Sequence, residues 1–255
     1  MSAILTAYLT QTRGLLQNPG APTALYSDVD LTRWINIARG QLAGSAECIR
    51  VHGTLATVAD QRSYAFSAID TGVAATTGIQ GVLNISSLSL ALGNGQKWMT
   101  PRPWPWFSLY NNNNVVPQTG QPTEWAQFGQ GAAPGSTGAG SGGTIYLDPT
   151  PDAVYSVVCN TTCYPIDLVD NTTVEAIPYM WTDAVPWFAA AYALWSSQNN
   201  ARMADAERYF NTYTIFEDRA RKASNPSVNR WMYQQAGDPA QGPKMQIGGK
   251  AGGLG

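Results

Sequence analysis

From Met180 to Trp195 the chain is apolar almost without relief: Met180, Trp181, Val185, Trp187, Phe188, three alanines, Tyr192, Ala193, Leu194 and Trp195. A helix with that pattern has no wet face, so it is expected to be buried on several sides, in a core or a subunit contact. Pro186 is compatible with this if Asp183 is the N-cap, because the proline then falls in the first turn, where its missing N–H costs nothing. A polar run, Ser196 to Asn200, follows. Beyond it Met203, Ala206, Phe210, Tyr213 and Phe216 or Ala220 recur at helical spacing and predict a second helix. Glu217 with Arg221 and Asp218 with Lys222 are i,i+4 pairs for its wet face. Ahead of this stretch, Thr172-Thr173-Val174-Glu175 has the form of a capping box and predicts a helix start there.

The N-terminal part has the same helical period. Leu5, Tyr8, Leu9, Thr12, Leu15 and Leu16 form one face, and Asn18-Pro19-Gly20 ends it. Ser27 with Asp30 three residues on is a second capping-box candidate. Leu31, Trp34, Ile35, Ala38 and Leu42 then mark one face of a helix that ends near Gly44. From Cys48 the period falls to two: Ile49, Val51, Gly53, Leu55 and Thr57 alternate with more polar neighbours, as a half-buried strand requires. Asp60-Gln61 reads as a turn and residues 62–66 as the returning strand. Ile79 to Leu92 is a long β-type run. Asn94-Gly95 is a type I′ hairpin signal, since both central positions need positive φ. Trp125 to Phe128 is a further short strand. Thr144 to Leu147 and Val154 to Tyr164 are expected to form a hairpin across the Pro-rich turn at 148–152.

The order is helix–helix, five to eight strands, helix–helix. The expected fold is therefore α+β: a helical bundle built from both ends of the chain, an inserted antiparallel β-sandwich or barrel-like domain, and an extended C-terminal tail. The boundaries are residues 1–47 and 170–223 for the helical domain, 48–169 for the β domain, and 224–255 for the tail. The tail is rich in Gly, Pro and Gln, has neither period, and cannot offset its own ordering entropy. Its one apolar anchor is Arg230-Trp231-Met232-Tyr233, of residue types common at interface hot spots.

Composition narrows the function. The net charge of −2 and pI near 5.3 argue against a nucleic-acid grip built on counterion release. No stretch reaches the roughly 20 apolar residues of a membrane helix, and Met1 to Thr6 lack a basic, apolar pattern, so neither a membrane span nor a secretion signal is expected. Three cysteines, Cys48, Cys159 and Cys163, have no zinc spacing and read as reduced, half-buried thiols of a protein made in the cytosol. Asp167, Asp170 and Glu175 are too scattered for a metal site and read as turn and cap chemistry. Catalysis by a Ser–His–acid or Cys–His set would have to use the single histidine, His52, which lies in an expected strand. Glycines at 129–131 and 138–143 lack the Lys-Ser/Thr ending of a phosphate loop. No cofactor or metal is expected. Nine tryptophans and twelve tyrosines are many for this length, and aromatics supply buried area in cores and interfaces. Trp98, Trp104, Trp106, Phe107 and Trp125 fit packing of the β region or a subunit contact; a sugar-stacking platform is the alternative.

Three stretches together carry a resemblance: residues 15–36, from Leu15-Leu16-Gln17-Asn18-Pro19-Gly20 through Tyr26-Ser27-Asp28 to Trp34-Ile35-Asn36; Pro101-Arg102-Pro103-Trp104-Pro105-Trp106-Phe107 leading to Pro122-Thr123-Glu124-Trp125; and Pro178-Tyr179-Met180-Trp181-Thr182-Asp183 leading into the alanine-aromatic helix. In this order and spacing the chain resembles the head-to-tail adaptor (connector) proteins of tailed bacteriophages, over most of residues 4–235. The resemblance implies a non-enzymatic virion protein at the neck, made in the host cytoplasm and forming a ring, usually dodecameric, below the portal. It implies as partners the portal protein, a tail, nozzle or tail-terminator protein, further copies of itself, and passing double-stranded DNA without specific binding, but no membrane. Ring and core packing would fall to Trp34, Ile35, Trp187, Tyr192 and Trp195. The tail-facing loop would hold Trp104, Trp106 and Phe107, and the portal-binding segment Arg230, Trp231, Met232 and Tyr233. The rival classes are a carbohydrate-binding or tail-fibre-like β module and a cell-wall hydrolase using His52 or an acid pair.

Overall fold

The computed structural model describes residues 4–18, 25–93, 95–105, 107–108, 118–131, 142–197 and 202–224. Trp106, most of the glycine-rich 129–143 stretch, and Arg230 to Tyr233 lie outside the described residues.

The first helix, α1 (Ile4–Leu16), buries the row Leu5, Tyr8, Thr12 and Leu16. Asn18 closes it: its N–H reaches the Arg13 carbonyl at 3.0 Å, while its side-chain oxygen accepts from the Leu25 N–H at 2.8 Å. The second helix, α2 (Asp28–Ala46), begins as the sequence predicts. Ser27 is its N-cap; the hydroxyl accepts from the Asp30 N–H at 3.1 Å and donates to the Asp30 carboxylate at 2.6 Å. Leu31, Ile35, Ala38 and Leu42 are fully buried beneath it. The helix runs past Gly44 to a left-handed cap at Glu47. Ser27→Ala leaves a helix-start amide without its partner and is expected to cost about 1 kcal/mol in a denaturant melt; an unchanged midpoint would show that water replaces the hydroxyl at no cost.

Ten strands follow among the described residues, more than the sequence pattern separates: β1 (Arg50–Ala56), β2 (Ser63–Ala65), β3 (Ile79–Leu92), β4 (Gly95–Trp98), β5 (Thr100–Pro101), β6 (Thr119–Gly120), β7 (Glu124–Phe128), β8 (Thr144–Asp148), β9 (Thr150–Pro151) and β10 (Ser156–Pro165), with a one-turn helix α3 (Ala74–Thr77) before β3. They make two four-stranded sheets, β1-β10-β3-β4 and β2-β8-β7-β5, and the small pair β6-β9. The first and last strands, β1 and β10, lie side by side, antiparallel from Arg50 opposite Thr162 to Ala56 opposite Ser156. The chain therefore enters and leaves the β region at the same end. That is how sheets can be inserted between helices that still meet one another.

The C-terminal helices are α4 (Ala184–Ser196) and α5 (Met203–Ser224). Pro186 falls in the first turn of α4, as expected, although the Asp183 side chain makes no capping bond. The all-round apolar pattern of α4 has a direct cause: it packs against α1, α2 and α5 at once. Ala190, Ala193 and Leu194 cluster with Leu16 of α1, Leu31 of α2 and Ala206 of α5, and the alanines let the backbones approach. A larger core joins α1, α2 and α4 to both sheets, from Ile35 and Ala189 to Leu88, Val157, Ile145 and Leu147. The fold is α+β, with N- and C-terminal helices packing together and sheets inserted between them.

Five expectations need correction. No helix starts at Thr172. The Asp170 carboxylate instead accepts from the N–H and hydroxyl groups of Thr172 and Thr173, a local turn that competes with helix, and Glu175 is committed elsewhere. Residues 144–147 and 154–164 do not pair; β8 joins β2 and β7, while β10 joins β1 and β3. Both segments alternate like edges of one hairpin, but β9 pairs with β6 between them and separates the sheets. For the same reason the strand after Asp60 does not return on β1 but crosses to β8. The β3–β4 hairpin exists, but Leu92 pairs with Gly95, so its tip lies one position earlier than Asn94-Gly95. Finally, Cys48, Cys159 and Cys163 are free and buried, not half-buried. Burial pushes the Cys48 and Cys159 thiols up to about 12.

Candidate assembly surfaces

The helical layer is tied to the segment before α4 by one buried ion pair. Arg39 lies in the middle of the buried face of α2, and Glu175 lies in the loop that follows β10. Their side chains are 1% and 4% exposed. The guanidinium Nε and Nη2 donate to both carboxylate oxygens at 2.8–3.2 Å, and Nη1 donates to the Ile166 carbonyl at 2.7 Å and to Asn36 Oδ1 at 3.1 Å. Glu175 also accepts from the Tyr8 hydroxyl and the Ile177 N–H, both at 2.9 Å. Asn36 exchanges two bonds with the Leu168 backbone. One network thus holds α1, α2 and the loop 166–177 in a single arrangement. Burial, then the Glu175 charge, drives the Tyr8 phenol far above its usual range, so it stays a donor. Sequence reading places Glu175 on a helix cap and passes over Arg39 altogether. The available signal was the position of Arg39: it interrupts the apolar stripe of Ile35, Ala38 and Leu42, and a cation there needs a buried partner.

The ring-and-core residues divide between contacts. Ile35 is buried. Trp34 is half-buried, edge-on to Tyr26 at 5.6 Å. The Trp187 ring meets Tyr209 at 5.5 Å and Trp195 meets Phe210 at 5.2 Å, so both find ring partners on α5 rather than on α2. Tyr192 stacks on Phe188 and remains 39% exposed. In the β region, residues 104–105 and 107–108 form a helical turn over β7 and β8. Trp104 packs on Tyr146 at 4.5 Å and Phe128 at 4.8 Å, and Phe107 is buried beneath the Arg62 guanidinium, 4.9 Å from its ring centre. Asp148, pushed up mainly by burial, lies 3.7 Å from Arg62. This is a packed aromatic layer with Phe128 at its exposed margin. Trp125 is buried too, and only Trp98 of the described members of the possible sugar platform is largely exposed.

Several large apolar side chains outside these cores face solvent. Tyr179 and Met180 are adjacent and 91% and 66% exposed, just ahead of α4. A groove of about 820 Å³ runs along the outer side of α2, walled by Leu83, Asn84 and Tyr164. His52 is exposed on β1, opposite Asn160. Among the described residues no three His, Cys, Asp or Glu side chains gather as metal ligands, and no helix is long and apolar enough to cross a membrane.

The helical layer is closed over a buried ion-pair network, and Tyr179 and Met180 expose adjacent apolar side chains just ahead of α4. The family model described as SU10 adaptor protein matches residues 5–238, and the chain belongs to this family of phage head-to-tail adaptors. No curated protein matches the sequence with significant similarity.

Proposed function

We propose that this chain forms a dodecameric ring at the neck of a phage particle, docks on the portal protein, and links the capsid vertex to a tail, nozzle or tail-terminator protein around a channel for duplex DNA. In this reading residues 1–47 and 170–223 act as the helical ring-building domain, residues 48–169 as the tail-facing domain with Trp104, Trp106 and Phe107 at its loop, and residues 224–255 as the portal-docking tail. One observation carries it: the family match does not stop with the last helix but runs on to residue 238, through Arg230, Trp231, Met232 and Tyr233. A segment without helical or strand periodicity cannot order alone, but it can order on a partner's surface. The weak net charge of −2 suits a conduit that lets DNA pass without holding it.

Truncation after Ser224 tests the assignment. The shortened chain is expected to keep its melting temperature and circular dichroism yet lose binding to isolated portal. Trp231→Ala alone should weaken that binding about tenfold or more, as loss of a hot spot does. If the shortened chain decorates portals normally, the tail is not the docking element.

A further inference from the structure

The outer face of α2 has a regular row, Asp30, Arg33, Ile37, Gly40 and Gly44, spaced alternately three and four residues apart. That is the spacing of a seam that meets a second helix. Arg33, Ile37, both glycines and Glu47 line the groove. A Cβ at Gly40 would meet nothing within 4 Å, so the molecule leaves this space open to a close-packing neighbour. One other helix of the described chain presents a matching row: α5, with Arg208, Asn211, Ile215, Asp218 and Lys222, all exposed and again spaced three and four apart. Set antiparallel, the two rows are complementary. Asp30 faces Lys222, Arg33 faces Asp218, Ile37 faces Ile215, Gly40 faces Asn211, and Gly44 leaves room for the Arg208 side chain. Both charges of the α2 row meet their opposites. Run parallel, Arg33 and Asp218 would face uncharged residues. Both rows span about 21 Å at 1.5 Å per residue, so the lengths agree.

We infer that the groove along α2 is the docking surface for α5 of a second copy of this chain. The inference deepens the ring reading above and rests on it. Because the two surfaces are different, the contact is heterologous: each copy offers one groove and one helix, and the assembly closes as a ring or runs on as a filament. The seam has one apolar pair and two exposed charge pairs, so each contact is weak alone. Asp218 already pairs with Lys222 at 3.3 Å within its own helix, but both are exposed, and exchanging one such pair for another costs little. Closure and templating raise the effective concentration and make weak contacts sufficient.

The test uses the full-length chain carrying Ile37→Cys and Ile215→Cys together, oxidised in assembled particles. The three native cysteines are buried and stay out of the reaction. A ladder of cross-linked multimers beyond the dimer is expected, since every copy is joined on both sides. No cross-link, or cross-links that stop at the dimer, would overturn the pairing. The orientation is tested by charge reversal in the wild-type cysteine background. Arg33→Glu or Asp218→Arg alone should weaken self-association in light scattering about three- to tenfold, and the two together on one chain should restore it. No rescue would also overturn the antiparallel contact. Electron microscopy of the same particles separates the two readings: a neck ring without a ladder removes this pairing and leaves the ring, whereas no copies in the neck removes both.

Discussion

Glu175→Ala is expected to destabilise the fold by about 3–5 kcal/mol, the range for removing one partner of a buried ion pair. The size follows from what is left behind rather than from what is lost. Arg39 would keep its charge in a site where its side chain is 1% exposed, with Nε and one Nη deprived of their acceptors. The Tyr8 hydroxyl and the Ile177 N–H would lose theirs as well. A buried donor without a partner costs about 1–3 kcal/mol by itself, and more when charged. Arg39→Met combined with Glu175→Leu should recover much of the loss, because an apolar pair of similar volume needs no partners and is often neutral relative to the ion pair. Urea melts of the three variants decide the matter. A loss below about 1 kcal/mol for Glu175→Ala would mean that water reaches Arg39 and the network is not closed.

That network also shows which parts of this molecule can be read from the chain. The helices were legible because each obeys a local rule. Ser27 caps α2 through Asp30, the rows of α1 and α2 repeat at 3.6, and the apolar run of α4 demands neighbours on every side. The long strand β3 was legible for the same reason. What failed was pairing. Thr144–Leu147 and Val154–Tyr164 both alternate as strands, and nothing local says that they belong to different sheets; that is settled by β2 and β7 on one side and by β1 and β3 on the other. The Thr172–Glu175 motif failed by competition. Asp170 satisfies the two threonines locally, and Glu175 gains more from Arg39, 136 positions away in the chain, than from a helix start. The surfaces were partly legible. Trp104 and Phe107 were recognised as a unit, but the row on α2 was read only for its buried side.

Gly78→Ala is the second large effect expected, about 2–5 kcal/mol. Gly78 caps α3 with φ 69° and ψ 13°, the left-handed region, where a Cβ costs roughly 1–2 kcal/mol. The backbone there is fixed on both sides: its N–H bonds to the Ala74 carbonyl and its carbonyl accepts from Ile166, each at 2.8 Å. It cannot rotate to another region without breaking one of them. A Cβ would also press into the Val174 carbonyl and stand 3.1 Å from the Ala176 N, and backbone yields less easily than a side chain, so overpacking adds roughly 1–3 kcal/mol. Val174 and Ala176 flank Glu175, so the displaced loop is the one that carries the acidic partner of Arg39. The two changes are therefore expected to couple: Gly78→Ala should cost less in the Arg39→Met/Glu175→Leu background than in the wild type, since a loosened loop can yield to the methyl group. Gly81→Ala is the control. It lies three residues on, in β3, and its Cβ would meet nothing within 4 Å, so the midpoint should stay within about 0.5 kcal/mol of wild type. Equal melting of Gly78→Ala and Gly81→Ala would show that the loop 166–177 gives way freely, and the rigid tie between the helices and the sheets would have to be placed elsewhere.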